Sequence, residues 1–562
     1  MPVTYLVNRN IVGNPILGSN IAGSTSSNIV SIVADPSGNV YVGGSYSGTG
    51  TNYIPVATST GPASGGSSSN VLTVTASTSL SGGFFAKYLS NGATQYYLGI
   101  VGAASSNVRV QTVTLDSTSS NLFVSFVYQS TTAFSIYSPS YNTPGATSTV
   151  TFPASAGTTG TYGIGFLKIT ASSGVILWGA ALDSGVASDN DTAVAVTVDQ
   201  NGNSYLLVTY NSTSPSTNTL NVLNGALGTL STASTITVSL AAAATVSTVG
   251  TALIKFGPSG IAQWAASTIN TSTSGGIPGT APANTIGVDT SGNVVIAVGV
   301  PYGTSTTVNQ GSTNGSTSGQ VTVPSQSGTA AIIVKYTTNG LSSAPIAWCA
   351  VISSSSGNYF TPAGVTCGPY NSVYVTGAAV GNPVVVYNGN GQNTAPSGSS
   401  SYTSGNAYGI VIKFSSSNGA FQYASYLSVS STIFAAYPNS SDTDLYLAAN
   451  YYNTTGTTTF TNSQGPASGL ILPITAAYST PVLVRMFLGN PMSAEVIPVT
   501  ASSSLAAVYV DQSATNVYAA GNYVNTAIVT LNNANNVGAG TPSTVVLPAT
   551  AAITTGFWVK YA

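Results

Sequence analysis

Seven basic residues lie at equivalent places along the 562-residue chain, each inside a short apolar run such as FFAKY or IIVKY. Neighbouring members of the set are 72 to 87 residues apart, and they are Lys87, Lys168, Lys255, Lys335, Lys413, Arg485 and Lys560. A lysine desolvated among aromatic side chains can acquire a lowered pKa and act as a base or nucleophile. Seven equivalent basic residues, however, are not seven active sites. We therefore interpret each residue as structural, with its stem packed between sheets and its charge bonded to a turn aspartate or backbone carbonyls.

Five aspartates share a second repeated position, in a polar turn between two strands. The segments IVADPSGNVYVGG and IGVDTSGNVVIAV show the pattern, and its aspartates are Asp35, Asp116, Asp199, Asp289 and Asp511. Such a carboxylate accepts backbone N–H bonds, and glycine or asparagine tolerates the left-handed position in the turn. Two weaker copies begin at Val365 and Phe434, and in the first of them we place Cys367 at the aspartate position. The repeat therefore occurs seven times.

A third landmark is a strand that begins about ten residues after each basic residue and carries an aromatic side chain in its first half. The aromatic residues are Tyr96, Trp178, Trp264, Trp348 and Tyr423. The sixth repeat breaks the pattern, because it combines Arg485 with Glu495 as though the pair had changed together. We assign the tryptophans to core packing, since their strand position repeats. Stacking on sugars is the alternative for these side chains.

The remaining reactive side chains offer little chemistry. The chain has no histidine, which removes the commonest general base and metal ligand. Cys349 and Cys367 cannot form a disulfide framework or a CxxC site, and we expect both to be buried. Weak calcium loops are conceivable only at two acidic clusters, neither with EF-hand spacing, namely Asp183 with Asp189 and Asp191, and Asp442 with Asp444. The sequence therefore predicts no catalytic residue, no cofactor and no metal site.

The order of the landmarks predicts a ring of repeats. The seventh repeat has no aromatic strand after Lys560, whereas the N-terminal segment PVTYLVNRNIVG places Tyr5 at the aromatic position. Pairing of this N-terminal strand with the C-terminal one would lock a circle and remove open sheet edges. We therefore expect an all-β protein, a seven-bladed β-propeller with four-stranded blades around a central channel. The N-terminal strand closes the last blade.

The expected propeller is a single domain over 1–562, with residues 1–14 as the closing strand of blade seven. The blades are expected at approximately 28–104, 107–186, 192–272, 284–355, 362–430, 431–502 and 504–562. Between the second and third strands, each repeat carries about thirty or more additional residues rich in Ser, Thr, Gly, Asn and Ala. Paired short runs such as NTLNVLN and STITVSLA predict an added β-hairpin in most blades, projecting from one face or the rim. Blade five shows only the first half of its hairpin.

The repeated unit resembles the SBBP-type β-propeller repeat family, whose units look like V-x-V-D-x-x-G-N-V-Y-V-x-G followed by F-x-x-K and an aromatic strand. The resemblance covers essentially the whole chain. It is strong in the repeats that hold Lys87, Lys255 and Lys335, and poor around Arg485. Such repeats are known in bacterial surface and secreted proteins and in proteins of large DNA viruses, so the resemblance implies an exterior location. It implies no reaction, because propellers carry unrelated functions.

The low content of charged residues limits the classes of function that we expect for this chain. Only 4% of the residues are charged while 43% are hydrophobic, and the net charge is -2. Ordinary soluble domains have roughly 25% charged residues. No basic stripe is present for nucleic acid or an anionic membrane, no apolar run is long enough to span a bilayer, and no signal peptide is visible. A nearly neutral Ser/Thr/Ala surface suits packing against copies of the same chain, or glycosylation.

These features predict a non-enzymatic structural surface protein that forms a homo-oligomer or filament with copies of itself, as a fibre, surface layer or virion coat. The expected location is extracellular or on a virion surface. The first alternative is a glycan-binding or host-attachment propeller that uses exposed tyrosines such as Tyr137, Tyr141, Tyr302, Tyr402, Tyr451 and Tyr452. A hydrolase or lyase is the third hypothesis, and the sequence offers no pair of carboxylates at a spacing that supports it.

Overall fold

β-Strands are the regular structure of this chain. The computed structural model describes residues 15–561 with gaps, of which the longest are 63–71, 138–147, 271–284 and 532–544. The predicted all-β class is confirmed over these residues. Across the described segments, no helix has the length and apolar character needed to cross a membrane.

Seven four-stranded units carry the repeat, and we number them core sheets 1 to 7. Within each unit, neighbouring strands are antiparallel. Core sheets 1 to 3 consist of β2 (Ser26–Ala34), β3 (Val40–Ser47), β8 (Ser81–Tyr88) and β9 (Thr94–Ile100); β10 (Asn107–Leu115), β11 (Asn121–Gln129), β14 (Gly163–Thr170) and β15 (Ile176–Asp183); and β16 (Thr192–Val198), β17 (Ser204–Ser212), β21 (Thr248–Phe256) and β22 (Ala262–Asn270). Core sheets 4 and 5 consist of β23 (Ile286–Val288), β24 (Val294–Val300), β27 (Ala330–Tyr336) and β28 (Ile346–Ser354); and β29 (Tyr359–Gly368), β30 (Ser372–Val380), β33 (Tyr408–Ser415) and β34 (Phe421–Leu427). Core sheets 6 and 7 consist of β35 (Ser430–Pro438), β36 (Asp444–Tyr452), β39 (Thr480–Phe487) and β40 (Asn490–Val496); and β41 (Ser503–Val510), β42 (Val517–Val524), β45 (Thr554–Tyr561) and β1 (Pro15–Ile21).

The middle strands of the core sheets are buried on both faces. Every residue of β24 and β27 is buried, for example, and in β8 and β14 seven of the eight residues are buried. A strand that is covered on both faces reads as a nearly continuous apolar run rather than as an alternating one. This explains why the segments around the repeated lysines are so apolar, and it places those lysines inside the fold.

Consecutive core sheets pack against each other through their first strands. β10 contacts β2, β3 and β8, β16 contacts β10 and β11, and the series continues to β41, which contacts β35, β36 and β39. Core sheet 7 also contacts core sheet 1, because β2 lies against β41, β42 and β45. The first strands of all seven core sheets line one cavity of about 340 Å³.

An N-terminal strand completes core sheet 7, but it is not the one that the sequence predicts. Residues 1–14, including Tyr5, lie outside the described residues. The strand beside β45 is Pro15–Ile21, which is antiparallel to it, with Leu17 opposite Lys560. Leu17 therefore has the register position that Tyr96 or Trp178 has in other core sheets. The segment PILGSNI carries no aromatic residue, so the search for an aromatic strand overlooked it.

Each insert between a second and a third strand contains a two-stranded hairpin. The hairpins are β4 (Thr51–Ile54) with β7 (Leu72–Thr75), β12 (Phe134–Tyr137) with β13 (Thr149–Phe152), β18 (Thr219–Ala226) with β20 (Val238–Ser239), β25 (Thr306–Val308) with β26 (Val321–Val323), β31 (Val384–Asn390) with β32 (Ser397–Tyr402), β37 (Thr458–Asn462) with β38 (Leu470–Leu472), and β43 (Val529–Leu531) with β44 (Val545–Leu547). Three two-residue strands accompany them, namely β5 (Thr58–Ser59), β6 (Gly61–Pro62) and β19 (Gly228–Thr229). The fifth insert therefore has both halves of its hairpin, and its second half, SGSSSY, escaped prediction because it has no apolar alternation.

Four hairpins do not project freely, contrary to the expectation from sequence. β18, β25, β31 and β37 pair with β15, β22, β28 and β34 respectively, which are the fourth strands of the preceding core sheets. Core sheets 2 to 5 are thereby extended to six strands. An unpaired outer strand exposes backbone N–H and C=O groups, and each of these hairpins provides hydrogen-bond partners for those groups.

A bulge in the first strand imposes a glycine on the second strand. The register of β2 against β3 shifts between Ile29 and Ser31, and this shift brings the carbonyl oxygen of Asn28 against Gly44. A Cβ atom at Gly44 would collide with that oxygen, which belongs to the backbone and has little freedom to move. Gly377 and Gly521 meet the carbonyls of Thr361 and Ser504 in the same way.

Gly44→Ala is therefore expected to lower the free energy of unfolding by about 1–3 kcal/mol, the usual cost of overpacking. Urea unfolding followed by tryptophan fluorescence measures this difference. Ser45→Ala is the control, because it changes the next residue of β3 by one atom at a half-buried site. Equal stability of the two variants would contradict the close contact at Gly44.

Candidate functional site

The charged residues of the repeat gather at one end of the core sheets. In a unit of four antiparallel strands, the turn between strands one and two lies at the same end as the turn between strands three and four. The inserts leave from the opposite end. We call the aspartates of the first turn, the basic residues at the end of the third strand and their bonding partners the turn network.

The aspartate of the first turn is satisfied by its own turn. Oδ1 of Asp35 accepts the backbone N–H groups of Ser37 and Asn39 at 3.0 and 2.9 Å, and Oδ2 accepts the Asn39 amide at 2.8 Å. Asp116, Asp199, Asp289 and Asp511 hold their turns through the same kind of bond to the asparagine that ends the turn. Gly38 has φ of 78°, which explains the glycine before that asparagine.

The basic residue ties its core sheet to the next one. Lys87 donates from Nζ to the carbonyl of Ala171 at 3.0 Å, and Lys168 donates to the carbonyl of Pro258 at 3.1 Å. Both carbonyls belong to the turn between strands three and four of the following core sheet. In all seven core sheets the register between third and fourth strands shifts directly after the basic residue. A bulge re-aims side chains, so its repetition fixes the direction in which each basic residue points.

The aromatic residues opposite the lysines bind the same carbonyl groups. Tyr96 donates its hydroxyl to Ala171, Trp178 its indole N–H to Pro258, and Trp348 its indole N–H to Ser416, at 3.0, 3.1 and 2.8 Å. Trp178, Trp264 and Trp348 are 5%, 0% and 1% exposed. Core packing is therefore the observed role of these tryptophans, and stacking on a sugar is excluded for them by burial.

Core sheet 4 contains a buried ion pair. Nζ of Lys335 lies 2.6 Å from Oδ2 of Asp289, and it also donates to the carbonyl and hydroxyl of Ser416 in core sheet 5 at 2.8 and 2.7 Å. Burial by itself raises the pKa of Asp289, but the hydrogen bond and charge of Lys335, with the bonds from Asn293, outweigh it, so the pKa is lowered overall. The carboxylate is thereby stabilised inside the fold.

Core sheet 5 takes its carboxylate from core sheet 6. Gly368, the last residue of the first strand, and not Cys367, has the place that Asp35 has in core sheet 1, so our assignment of Cys367 is off by one residue. Asp442 fills the missing role, because it accepts the hydroxyls of Ser372 and Tyr374 at 2.9 Å each. Its other oxygen pairs with Lys413 at 3.0 Å. A Cβ at Gly368 would collide with Asp442, so the glycine makes room for the borrowed carboxylate.

In the first turn of core sheet 6, aspartate and asparagine have exchanged positions. Asn439 has the aspartate position, where its Oδ1 accepts the N–H groups of Thr443 and Asp444 at 3.0 and 3.2 Å. Asp444 has the asparagine position, and its Oδ1 lies 2.6 Å from Nη2 of Arg485. The register places Ser493, and not Glu495, opposite Arg485. The expected Arg485–Glu495 pair is therefore wrong, and the residue that changes together with Arg485 is Asp444.

Four further lysines lie beside the turn aspartates of their own core sheets. Burial lowers the pKa of Lys87, Lys168, Lys255 and Lys560, while Asp35, Asp116, Asp199 and Asp511 respectively act in the opposite direction. Lys255 is only 1% exposed and lies over the ring of Tyr205. A lowered pKa is a property of reactive lysines, but Lys87, Lys168 and Lys255 are buried, whereas Lys560 is half-buried.

The other predicted sites are placed as follows. Asp442 and Asp444 are occupied by Lys413 and Arg485, which removes them as a calcium loop, and the side chains of Asp183, Asp189 and Asp191 lie outside the described residues. Within the described part of the chain, no three His, Cys, Asp or Glu residues form a group that could hold a metal ion. Both cysteines are free, and burial raises the pKa of the Cys349 thiol to about 12.

The tyrosines named for glycan binding differ in exposure. Tyr137 and Tyr452 are 57% and 43% exposed, whereas Tyr451 is 1% exposed and belongs to the core, which corrects the expectation for it. Alternation along β36 turns neighbouring side chains to opposite sides, so adjacent tyrosines cannot both face water there. Tyr141, Tyr302 and the side chain of Tyr402 lie outside the described residues.

Sequence reasoning missed the acceptors on the neighbouring core sheets. Ala171, Pro258 and Ser416 contribute backbone carbonyls, which leave no signal in residue type. Asp442 and Asp444 carried a signal, because they follow a first strand in one of the two repeats that lack an aspartate at the usual place. We read that pair as a calcium candidate instead of aligning it with the turn.

Comparison with known proteins adds little to this picture. No protein-family model and no curated protein matches the chain. Among solved structures, the chain is similar to one described as "Structure of Dos1 propeller", with 8% identity and a TM-score of 0.26, over 80% of this chain and 91% of that chain. A likeness at this level carries no argument, so the description of the core sheets rests on their own strand pairing and packing.

Lys335→Met is expected to lower the free energy of unfolding by about 3–5 kcal/mol, because it leaves the Asp289 carboxylate buried without its cation. Lys255→Met is expected to cost less, since burial already disfavours the charged form of that lysine. Arg109→Met, at an exposed side chain, is the control and is expected within about 0.5 kcal/mol of the wild type. Denaturant unfolding ranks the three variants. A loss for Lys335→Met no larger than that for Arg109→Met would refute the structural role of the turn network.

The Asp289–Lys335 pair should also make stability depend on pH. The pKa of Asp289 is lower in the folded chain than the unfolded value of about 3.9, so its contribution is complete above that pH and is lost as the pH falls through the folded pKa. The difference in unfolding free energy between wild type and Asp289→Asn is therefore expected to be constant from pH 7 to 5 and to shrink below about pH 4. Urea unfolding at pH 7, 5, 4 and 3 measures it. An unchanged difference at the lowest pH would contradict the stabilised carboxylate.

Proposed function

We propose that the seven core sheets are the blades of a closed seven-bladed β-propeller. The packing of each first strand on the preceding unit, the contact of core sheet 7 with core sheet 1 and the shared cavity support this arrangement. The pairing of β1 with β45 supports closure by an N-terminal strand. The repeated motif, which resembles SBBP-type units, points to the same architecture.

On this scaffold the chain serves as a non-enzymatic structural component of a surface, where it assembles with copies of itself. The observation that carries the proposal is where the charges are. Seven of the nine basic residues and seven of the eleven acidic residues belong to the turn network. The charged residues left for the rest of the chain are Arg9, Arg109, Asp183, Asp189, Asp191 and Glu495.

A surface with so few charges has little to oppose association. Soluble monomers normally keep mixed surface charge and a net charge away from zero, which limits self-association. Here the net charge is -2 over 562 residues, and the inserts are rich in Ser, Thr and Gly. Such a surface is suited to contact with an identical surface, because no like charges meet. A fibre, a surface layer or a virion coat, outside the cell or on a virion, is a setting in which association is useful.

The positions of the ionisable groups also argue against catalysis as the function. General acid–base and nucleophilic chemistry need a group whose proton or lone pair is available to a substrate. The carboxylates of the turn network accept bonds from their own turns, and Lys335, Lys413 and Arg485 are ion-paired. The ionisable groups of the turn network therefore hold turns and core sheets together.

Attachment to glycans is the alternative function. The exposed tyrosines Tyr137, Tyr359, Tyr370 and Tyr452 are the described side chains that favour it. They lie, however, on a hairpin of core sheet 2, at the two ends of the first strand of core sheet 5 and on core sheet 6. A glycan array with the purified protein tests this reading, and binding by a strictly monomeric protein would favour it over assembly.

Native material is expected to form regular filaments or sheets in electron micrographs, because the exposed surface has almost no charge to prevent association. Mass photometry on a dilution series should count multiples of the 56.1 kDa chain that persist at low concentration. Raising the salt concentration should change these assemblies little, since few charges are present to be screened. A strictly monomeric protein at every concentration would refute the assembly proposal.

A further inference from the structure

The outer edges of the core sheets are covered unequally. Core sheets 2 to 5 have their fourth strands paired with a hairpin from the following core sheet. In core sheet 7, the fourth strand β1 pairs with β5 from the insert of core sheet 1. Among the strands that the structure describes, β9 and β40 are the outermost strands of core sheets 1 and 6. Among the described strands, no hairpin therefore pairs with the outer side of β9 or β40.

The hairpin that would cover β9 by this rule is held elsewhere. It is β12–β13, from the insert of core sheet 2, and its residues Phe134, Ile136, Val150 and Phe152 are buried in the cluster shared by core sheets 1 and 2. Phe152 lies 5.1 Å from Phe126 between ring centroids. β13 also pairs with β19 from the next insert. Moving this hairpin to β9 would expose four apolar side chains, so within one chain the edge is not covered in this way.

The two remaining edges differ in protection. β40 contains Pro491, which has no N–H to donate, and Glu495, which would be desolvated by a neighbouring strand. β9 has the sequence TQYYLGI, with neither proline nor charge over seven residues. Natural sheets blunt an exposed edge with charge, proline or shortness, and β9 uses none of these. Tyr96, Leu98 and Ile100 anchor one face of β9 in the core, which keeps the strand extended.

We propose that β9 is the site at which a second copy of the chain joins, through antiparallel pairing of β9 with β9 about a two-fold axis. The inference rests on the proposed self-assembly and names its first contact. An uncharged strand is complementary to itself, and an isologous contact uses the same patch on both copies. Among the described outer strands of this chain, β40 is protected and β20, β26 and β38 have only two or three residues. β32 has Ser or Gly at five of its six positions, and such a polar strand specifies its pairing register only weakly, so β9 is the matching partner. Pairing adds one continuous ladder through two core sheets, the mode known as β-augmentation.

The contact is tested by placing a lysine at the edge. Gln95 and Gln200 make the same kind of bond, each donating its amide to a backbone carbonyl at 3.1 Å, to Ser172 and Thr290 respectively; Gln95 is half-buried and Gln200 is exposed. Gln95 lies in β9, whereas Gln200 lies in a turn. Gln95→Lys is therefore expected to raise the concentration at which dimers dissociate by about tenfold or more in mass photometry, and Gln200→Lys to leave it within about twofold.

Cysteine cross-linking gives a second measurement that does not depend on that lysine being tolerated. Tyr97→Cys lies at the centre of β9, where the same residue of two copies meets in antiparallel pairing, and oxidation is expected to yield a disulfide-linked dimer. Tyr137→Cys, at an exposed tyrosine of β12, is expected to stay monomeric, and the wild type controls for Cys349 and Cys367. Assemblies that resist Gln95→Lys and give no cross-link at position 97 would overturn the role of β9 but not self-assembly. A wild-type protein that is monomeric throughout would overturn both.

Discussion

The structure depends on one requirement, that the cations at the ends of the third strands find acceptors, and for Lys87, Lys168, Lys335 and Lys413 an acceptor lies on the neighbouring core sheet. A buried ammonium or guanidinium without a partner costs several kcal/mol, so the position is tolerable only when the next sheet is in place. Lys87 needs the carbonyl of Ala171, and Lys335 needs Ser416 as well as its own Asp289. The repeated lysine therefore couples the position of each sheet to that of its neighbour, which local propensity cannot do.

The variation between repeats follows from the same requirement. Where a repeat loses its aspartate, the charge is supplied from elsewhere, as when Asp442 of core sheet 6 serves Lys413 of core sheet 5. Where the turn exchanges aspartate and asparagine, the cation becomes an arginine that reaches Asp444. The carboxylate is thus fixed by charge balance, while its place in the sequence is free to move. The sixth repeat therefore departs from the motif, but its turn is still held by hydrogen bonds to Asn439 and its cation is still paired with a carboxylate.

Much of the fold could be predicted from the sequence because strand position and turn chemistry are local. The spacing of the lysines located the third strands, and the Asp-x-x-Gly-Asn turns located the first and second. The contacts between repeats could not be predicted, because a motif gives a residue's place within its unit and says nothing about the unit beside it. The carbonyl acceptors of Ala171, Pro258 and Ser416 belong to that second kind of information. The closing strand was misplaced for a related reason, since Leu17 matches Tyr96 in register but not in residue type.

Placing the charges inside has a consequence at the sheet edges. Proteins usually blunt an outer strand with lysine or another charge, but this chain holds nearly all of its basic residues in the turn network. It covers four of its edges with backbone instead, because four uncharged hairpins each pair with the outer strand of the preceding sheet. The long Ser/Thr-rich inserts are thus the structural counterpart of the low charge rather than an unrelated decoration. The outer strand β9, with which no described hairpin pairs, has no charged residue to prevent pairing with another strand. In a chain of this composition, a strand of another copy is suited to pair with it.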